Sequence, residues 1–390
     1  MRKLAKKFAC VFAAALFFIN PAAAFGAEAP KLNVDAKAAV IMEPWAKKTL
    51  FEQNPDERLP IASVTKVMTI LLIYEALAQG KITMDDVVTV SEHAAKMGGS
   101  QIYLEPMEKQ SVRDLIKSVV IASANDAAVA LAEAVAGSEE GFADMMNRKA
   151  AELGMKNTSF KNACGLDTEG HFSSARDVAI MSAELMGKYP EAFEYTTVWM
   201  DSIIHRTARG EEEFGLTNTN KLIRWYNGTT GLKTGSTSQA LYCLSGTAER
   251  DGLKLIAVVL GAPNPNTRFQ EVMRMLDYGY ANYKVVKGAE KGAVLGSVKV
   301  FKGGADEVDY IVKDEINAVV EKGGSGDGLE REIIIPSGLK APVLKGDKAG
   351  EVIYRLGGEV VGKSDLTALS DVRRATMPDI MSKLRAIWLR

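Results

Sequence analysis

The sequence is poor in the residues that bind metals and form cross-links. Among 390 residues there are three cysteines and three histidines. Cys10, Cys164 and Cys243 are too few for a disulfide framework. Cys10 follows Lys7-Phe8-Ala9 too closely to be a lipid-modified cysteine at a cleavage site. A Cys164–Cys243 bridge stays open, although two core thiols fit the pattern better. His93, His171 and His205 are scattered without ligand spacing, which speaks against a metal site. An excess of one charge is also missing: 48 basic residues face 49 acidic ones, so there is no nucleic-acid footprint. There is no internal repeat and no low-complexity tract, and nothing in the composition calls for a cofactor. The N-terminal apolar run, Phe8 to Ile19, falls short of the roughly 20 residues that span a bilayer.

That run is informative in another way. Basic residues Arg2 to Lys7 precede it, and small residues Ala22-Ala23-Ala24 and Gly26-Ala27 follow, the pattern of an export signal over residues 1–27. Removing it leaves 44 basic against 49 acidic residues, a net of −5. The remaining length suits two domains. From residue 30 to 283 strands and long helices mix. Ala38 to Met42 reads as a strand and Ala62 to Gln79 as a helix stopped by Gly80. Val112 to Ala136 reads as a helix interrupted near Ser123, and Gly141 to Gly154 as another. Strands at Tyr242 to Ala248 and Lys254 to Gly261 flank the Arg250-Asp251-Gly252 turn, and Arg268 to Tyr283 closes the region as a helix. This suits an α+β domain, an antiparallel sheet covered by helices. Residues 284–370 bring short alternating runs with glycine turns, a small all-β domain. Residues 371–390 form an amphipathic helix from near Pro378, with Met377, Ile380, Met381, Leu384, Ile387 and Trp388 on one face and Lys383, Arg385 and Arg390 beside it. Such a helix can lie in a membrane interface or dock on its own protein; a tether suits an exported enzyme better.

Three motifs carry the chemistry: Ser63-Val64-Thr65-Lys66, Ser123-Ala124-Asn125 and Lys233-Thr234-Gly235. Three residues apart, Ser63 and Lys66 share a helix face. A serine hydroxyl needs a base to take its proton. Lys66 serves only if neutral, so its pKa must fall from about 10.4. Burial against Val67 and Met68 and a second cation at Lys233 would both lower it. Ser123 and Asn125 sit in a connection between helices, where they reach a shared cleft or, in the plainer reading, Asn125-Asp126 caps a helix. Lys233 and Thr234, on a strand, suit a substrate carboxylate, and Gly235 lets a ligand backbone come close. A second S-x-x-K, Ser337 to Lys340, follows Pro336 and contains a glycine; it reads as a strand end and turn, and a coincidence.

These motifs resemble those of the penicillin-recognising serine enzymes, nearest the low-molecular-mass penicillin-binding proteins that are D-alanyl-D-alanine carboxypeptidases, and within them the sporulation-associated branch. Ser123 to Glu133, Gly165-Leu166-Asp167 and His171 to Asp177 extend the likeness. The resemblance implies a β-lactamase/transpeptidase-like domain followed by the small β-domain and the anchor helix. It implies an acyl-enzyme on Ser63 with Lys66 as base, and Ser123 and Asn125 completing the proton and hydrogen-bond network. Lys233 and Thr234, beside Gly235, would hold the terminal carboxylate region, with Arg268 as a further carboxylate ligand. The N–H groups of Ser63 and Ser236 would form the oxyanion hole. Implied partners are peptidoglycan stem peptides, β-lactams as covalent inhibitors and the membrane surface, at the outer face of the cytoplasmic membrane or in the wall. Serine stands at position 236, where some relatives carry histidine; a backbone donor survives that change. Alternatives on the same site are a D,D-endopeptidase, a β-lactamase or a penicillin-sensing module without turnover. The β-lactamase lacks support: Glu213 to Asn218 misses the spacing of the glutamate segment its water chemistry uses.

Overall fold

The computed structural model describes residues 32–207, 209–322 and 328–388. The export signal expected at 1–27 lies outside the described residues, as do the side chains of Lys383, Leu384, Ile387 and Trp388. Five antiparallel strands form the main sheet, in the order Lys48–Gln53, Ala38–Glu43, Leu253–Ala262, Leu241–Arg250 and Thr229–Thr237. The central strand Leu253–Ala262 is buried almost throughout, which explains its unbroken apolar run where a half-exposed strand would alternate.

Helices cover both faces. Ser182, in helix Ala175–Lys188, lies 2.9 Å hydroxyl to hydroxyl from Ser245. A methyl group on the next residue, Gly246, would meet Val272 of helix Pro265–Asn282 at 2.6 Å. Adjacent strand residues point to opposite faces, so the two helices lie on opposite sides of the sheet. Helices Lys66–Ala78 and Asn125–Ala136 are buried along most of their length, and the first carries a nearly continuous apolar surface. A separate hairpin, Met200–Thr207 with Gly210–Thr217, stands apart from the main sheet.

Beyond Asn282 the pattern changes to strands. Tyr283–Lys287 pairs with Asn317–Glu321. A six-stranded sheet runs Leu329–Ile334, Lys348–Leu356, Glu359–Ala368, Glu307–Val312, Val294–Phe301 and Leu339–Lys340, its last pair parallel. Alternation is clean here: in Glu307–Val312, Val308, Tyr310 and Val312 point into a core with Val298, Val352 and Leu366, while Glu307 and Asp309 face outward. The second S-x-x-K ends in the two-residue strand Leu339–Lys340, in keeping with a strand end. Helix Met377–Trp388 begins one residue before Pro378. Asp379 accepts hydrogen bonds from the backbone N–H and hydroxyl of Thr376, which ties the residue before the helix to its first turn. Met377, Ile380 and Met381 are exposed. No described helix is long and apolar enough to cross a membrane.

Candidate active site

The nucleophile turn is built by close packing. Ala62 takes a left-handed backbone (φ +47°), unusual for a residue with a side chain. It opens the 3-10 turn Ala62–Thr65, which runs into helix Lys66–Ala78. Ser63 therefore sits in a 3-10 turn ahead of the α-helix, not in the first α-helical turn. The correction favours the pair, because residues three apart eclipse in a 3-10 turn. Lys66 Nζ lies 3.0 Å from Ser63 Oγ. The glycine of the third motif also packs on the nucleophile turn. A methyl group on Gly235 would lie 2.7 Å from the Ile61 carbonyl oxygen and 3.0 Å from Ser63 N. The protein's own nucleophile turn needs the bare backbone there. The same holds for Gly165 (φ +87°), whose added methyl would run into the Ala62 carbonyl.

Lys66 is fully buried and all three of its donors are used. Besides Ser63, it donates to Asn125 Oδ1 (2.5 Å) and to the Cys164 carbonyl (2.8 Å). Burial pushes its pKa down to about 8, against the opposing influence of Cys164 and Asp126. Desolvation, rather than the second cation, is the main cause. Lys233 is also fully buried and is driven well below the usual lysine range by burial, then by the charges of Lys66 and Arg268. Its ammonium donates to the Thr234 carbonyl at 3.1 Å.

Ser123 ends a short π-helical segment, Ser118–Ala122, in a left-handed conformation (φ +62°). Held strain of this kind concentrates at functional sites. Asn125 opens the next helix but does not cap it; residue Ala124 holds the cap position without a side-chain bond. The Asn125 amide instead spans from Lys66 to the Gly98 carbonyl, to which Nδ2 donates at 2.6 Å. The neighbouring Asp126 carboxylate, buried, accepts the N–H groups of Ile102, Leu104 and Ala127 and so fixes the loop beside Asn125.

Arg268, half-buried on helix Pro265–Asn282, donates through Nη1 to the Gly235 carbonyl at 3.0 Å, and its buried Nε has no partner among the described residues. Ser236 is exposed at the same strand end. Thus Ser63, Lys66 and Asn125 are joined by hydrogen bonds, Gly235 packs on Ser63, and Arg268 and Lys233 adjoin that strand. The hydroxyl of Ser123 makes no hydrogen bond among the described residues that ties it to them. Several participants had little sequence signal. Thr219 Oγ1 lies 2.7 Å from Thr234 Oγ1. Asn162 organises the loop that presents the Cys164 carbonyl, accepting the N–H of Gly165 at 2.6 Å. His171 accepts the Lys161 N–H at Nδ1, leaving Nε2–H to donate to Thr65 Oγ1 (2.8 Å); burial lowers its pKa to about 4, so it stays neutral. Cys164 and Cys243 are buried free thiols.

A half-exposed Ser63 hydroxyl on the buried Lys66 amine, with Lys233 and Arg268 close by, is the arrangement that serine acyl transfer requires. The chain belongs to the D-alanyl-D-alanine carboxypeptidase family, serine hydrolases among the penicillin-binding proteins of peptidoglycan metabolism: the family model of that description matches residues 23–264. A second, described as penicillin-binding protein 5, C-terminal domain, matches residues 283–374. The chain is 41% identical to D-alanyl-D-alanine carboxypeptidase DacF of Bacillus subtilis, covering 94% of this chain and 93% of that one. It is 35% identical to DacC of Escherichia coli, over 92% of this chain and 90% of the relative. The crystal structure of penicillin-binding protein 5 from Haemophilus influenzae matches with a TM-score of 0.70 at 32% identity, covering 88% of this chain and 98% of that structure.

Proposed function

We propose that this carboxypeptidase removes the terminal D-alanine of peptidoglycan stem pentapeptides through an ester on Ser63. The observation that carries the residue assignment is the Ser63–Lys66 pair: 3.0 Å apart, with an amine whose pKa of about 8 leaves a usable neutral fraction near neutrality. Neutral Lys66 takes the Ser63 proton as Oγ attacks the penultimate D-alanine carbonyl. The N–H groups of Ser63 and Ser236 receive the oxyanion. The peptide C–N bond breaks, and the departing amine receives the proton through Ser123. Water then adds to the ester, returning the hydroxyl to Ser63 and releasing the shortened peptide. Asn125 orients Lys66 and a substrate amide. Lys233, Thr234 and Arg268 hold the terminal carboxylate, with Gly235 keeping the strand close. A β-lactam enters the same route and stops at the ester.

The same proposal includes export by residues 1–27, a catalytic domain over 30–283, a β-domain over 284–370 and attachment to the outer face of the membrane by residues 371–390. The exposed Met377, Ile380 and Met381 support that attachment. Removal of 371–390 should shift the protein from membrane to soluble fractions; unchanged fractionation rejects the tether. The function is tested by mass-spectrometric detection of D-alanine released from a stem peptide ending in D-Ala-D-Ala, beside Ser63→Ala. Release by wild type alone, with a penicillin adduct on Ser63, is the expected result. A Ser63→Ala protein that still releases D-alanine sinks the assignment.

A further inference from the structure

A second recess lies between the Trp45 turn and the β-strands beyond residue 283. Two adjoining cavities of about 540 and 530 Å³ share Trp45, Gly187, Asp314, Glu315 and Asn317 as walls. Each is of the size that small-molecule sites adopt, roughly 300–1,000 Å³. Trp45 stands on the turn between the first two strands with 53% of its surface exposed, even though the Lys254 ammonium lies 5.1 Å from its ring centroid. An exposed tryptophan in a recess, with one face over Lys254, still leaves ring surface for stacking. The buried Oδ1 of Asn317 has no hydrogen-bond partner among the described residues, and that residue lines both cavities. A buried acceptor left unpaired is costly unless a ligand or water supplies the donor. Four acids, Glu249, Asp251, Asp314 and Glu315, and five lysines, at 47, 254, 287, 291 and 363, line the two cavities together, so neither a polyanion nor a polycation is selected. Aromatic face, amide acceptor and mixed charges together fit a neutral chain rich in hydroxyl and acetamido groups.

We propose that this recess binds the amino-sugar backbone of peptidoglycan, with Trp45 stacking on a sugar ring and Asn317 accepting a hydroxyl or acetamido N–H. The inference rests on the reading that stem peptides are the substrate. The strand Ala38–Glu43 runs from the Ser63 end of the sheet, where Ala38 pairs with Leu260, toward the Trp45 end, where Met42 pairs with Ile256. At about 3.3 Å per residue, Trp45 is on the order of 20 Å from the catalytic end. A stem of four residues between the cut bond and its sugar extends roughly 14 Å, so the glycan held there lies at or beyond the reach of the stem being cut. Its effect is to raise the local concentration of stems, which acts on polymer and not on free peptide.

Stem-free glycan strands from amidase-treated peptidoglycan, and N-acetylglucosamine tetramer, are titrated against the full-length protein by calorimetry. Wild type should bind, and Trp45→Ala and Asn317→Ala should each bind roughly tenfold more weakly, the loss of one good contact. On soluble pentapeptide both variants should match wild type in D-alanine release; on intact sacculi both should be slower by several-fold. No binding of either glycan by wild type, or equal binding by the variants, overturns the proposal. Unchanged release from soluble peptide separates that failure from failure of the carboxypeptidase reading, which would appear as no release from soluble peptide in any form of the protein.

Discussion

The two sheets treat charge in opposite ways. In the part of the chain before Tyr283, Lys66, Lys233, Asp126, Asp177, Glu108 and others are buried, several of them around the nucleophile. Beyond Tyr283 the buried polar residues among those described are Ser364 and Thr367, and neither carries a charge. There Lys348 reaches Glu351 (2.6 Å) and Asp365 (2.7 Å) with about half its side chain in solvent. Burying an ion costs several kcal/mol and is retained where a shifted pKa or a fixed geometry is useful. The contrast teaches where chemistry resides: the catalytic sheet carries unfavourable groups held by many partners, whereas the second sheet is an ordinary alternating scaffold. Substitutions in the two regions should therefore separate activity from stability.

The largest effect is expected from Lys66→Met. D-alanine release should fall by about 10³-fold or more, since a base acting on an otherwise weak nucleophile is lost. Thermal stability should change little, because three lost hydrogen bonds are offset by no longer burying a cation. Wild type supplies the matching pH test. A lysine lowered to about 8 becomes a base as pH rises, so kcat/KM should climb about tenfold per unit below that value and flatten above it. A profile flat from pH 6 to 9 would remove Lys66 from the base role.

Much of this was legible in the sequence, for reasons that can be located. The helix and strand periods place Lys66 and Lys233 on regular elements, and the spacing of Ser63 and Lys66 predicts their contact. For Asn125 both a cap and a partner of Lys66 were legible, but not which of the two the chain adopts. That choice depends on the Gly98 carbonyl, 27 positions away, and on Lys66, 59 positions away. The Cys164 carbonyl was beyond reach because any residue type offers a carbonyl; only the Asn162 loop aims it. Gly235 was singled out rightly as a close-approach position, yet sequence could not say which backbone approaches. The β-domain was the easier part, since one buried face leaves a period of two in the sequence.

A substitution of Gly165 tests packing rather than chemistry. In Gly165→Ala the new methyl must displace the Ala62 carbonyl, and the left-handed backbone adds roughly 1–2 kcal/mol of strain. Ala62 precedes Ser63, and misplacing a nucleophile by about 1 Å can cost on the order of 10²-fold in rate. Activity should fall by about that factor with the penicillin adduct forming correspondingly slowly. Gly346→Ala in the second region, where the backbone is also left-handed (φ +93°) but an added methyl meets nothing within 4 Å, should cost stability through the same backbone strain and leave release unchanged. Equal losses from both would erase the distinction between the regions.

The smallest effect concerns acid. Buried His171 has its pKa lowered to about 4 from an ordinary value of 6.5, so the unfolded chain takes up a proton that the folded chain refuses. Stability then falls as pH drops from about 6.5 toward 4, by about 2 kcal/mol between pH 7 and 5. Raised histidines act in the other direction: Glu108 lifts His205 and Glu139 lifts His93, so the whole-protein profile is a sum of opposed terms. Comparing wild type with His171→Gln isolates one of them. The variant forfeits some packing against Thr65 at neutral pH, but its melting temperature should fall less on acidification than that of wild type. Lys348→Met, which removes exposed pairs with Glu351 and Asp365, should change the slope of that acid profile less than His171→Gln does. A His171→Gln slope identical to wild type would mean that burial behind the nucleophile turn does not hold this imidazole neutral, and that the catalytic sheet treats its titrating groups no differently from the second.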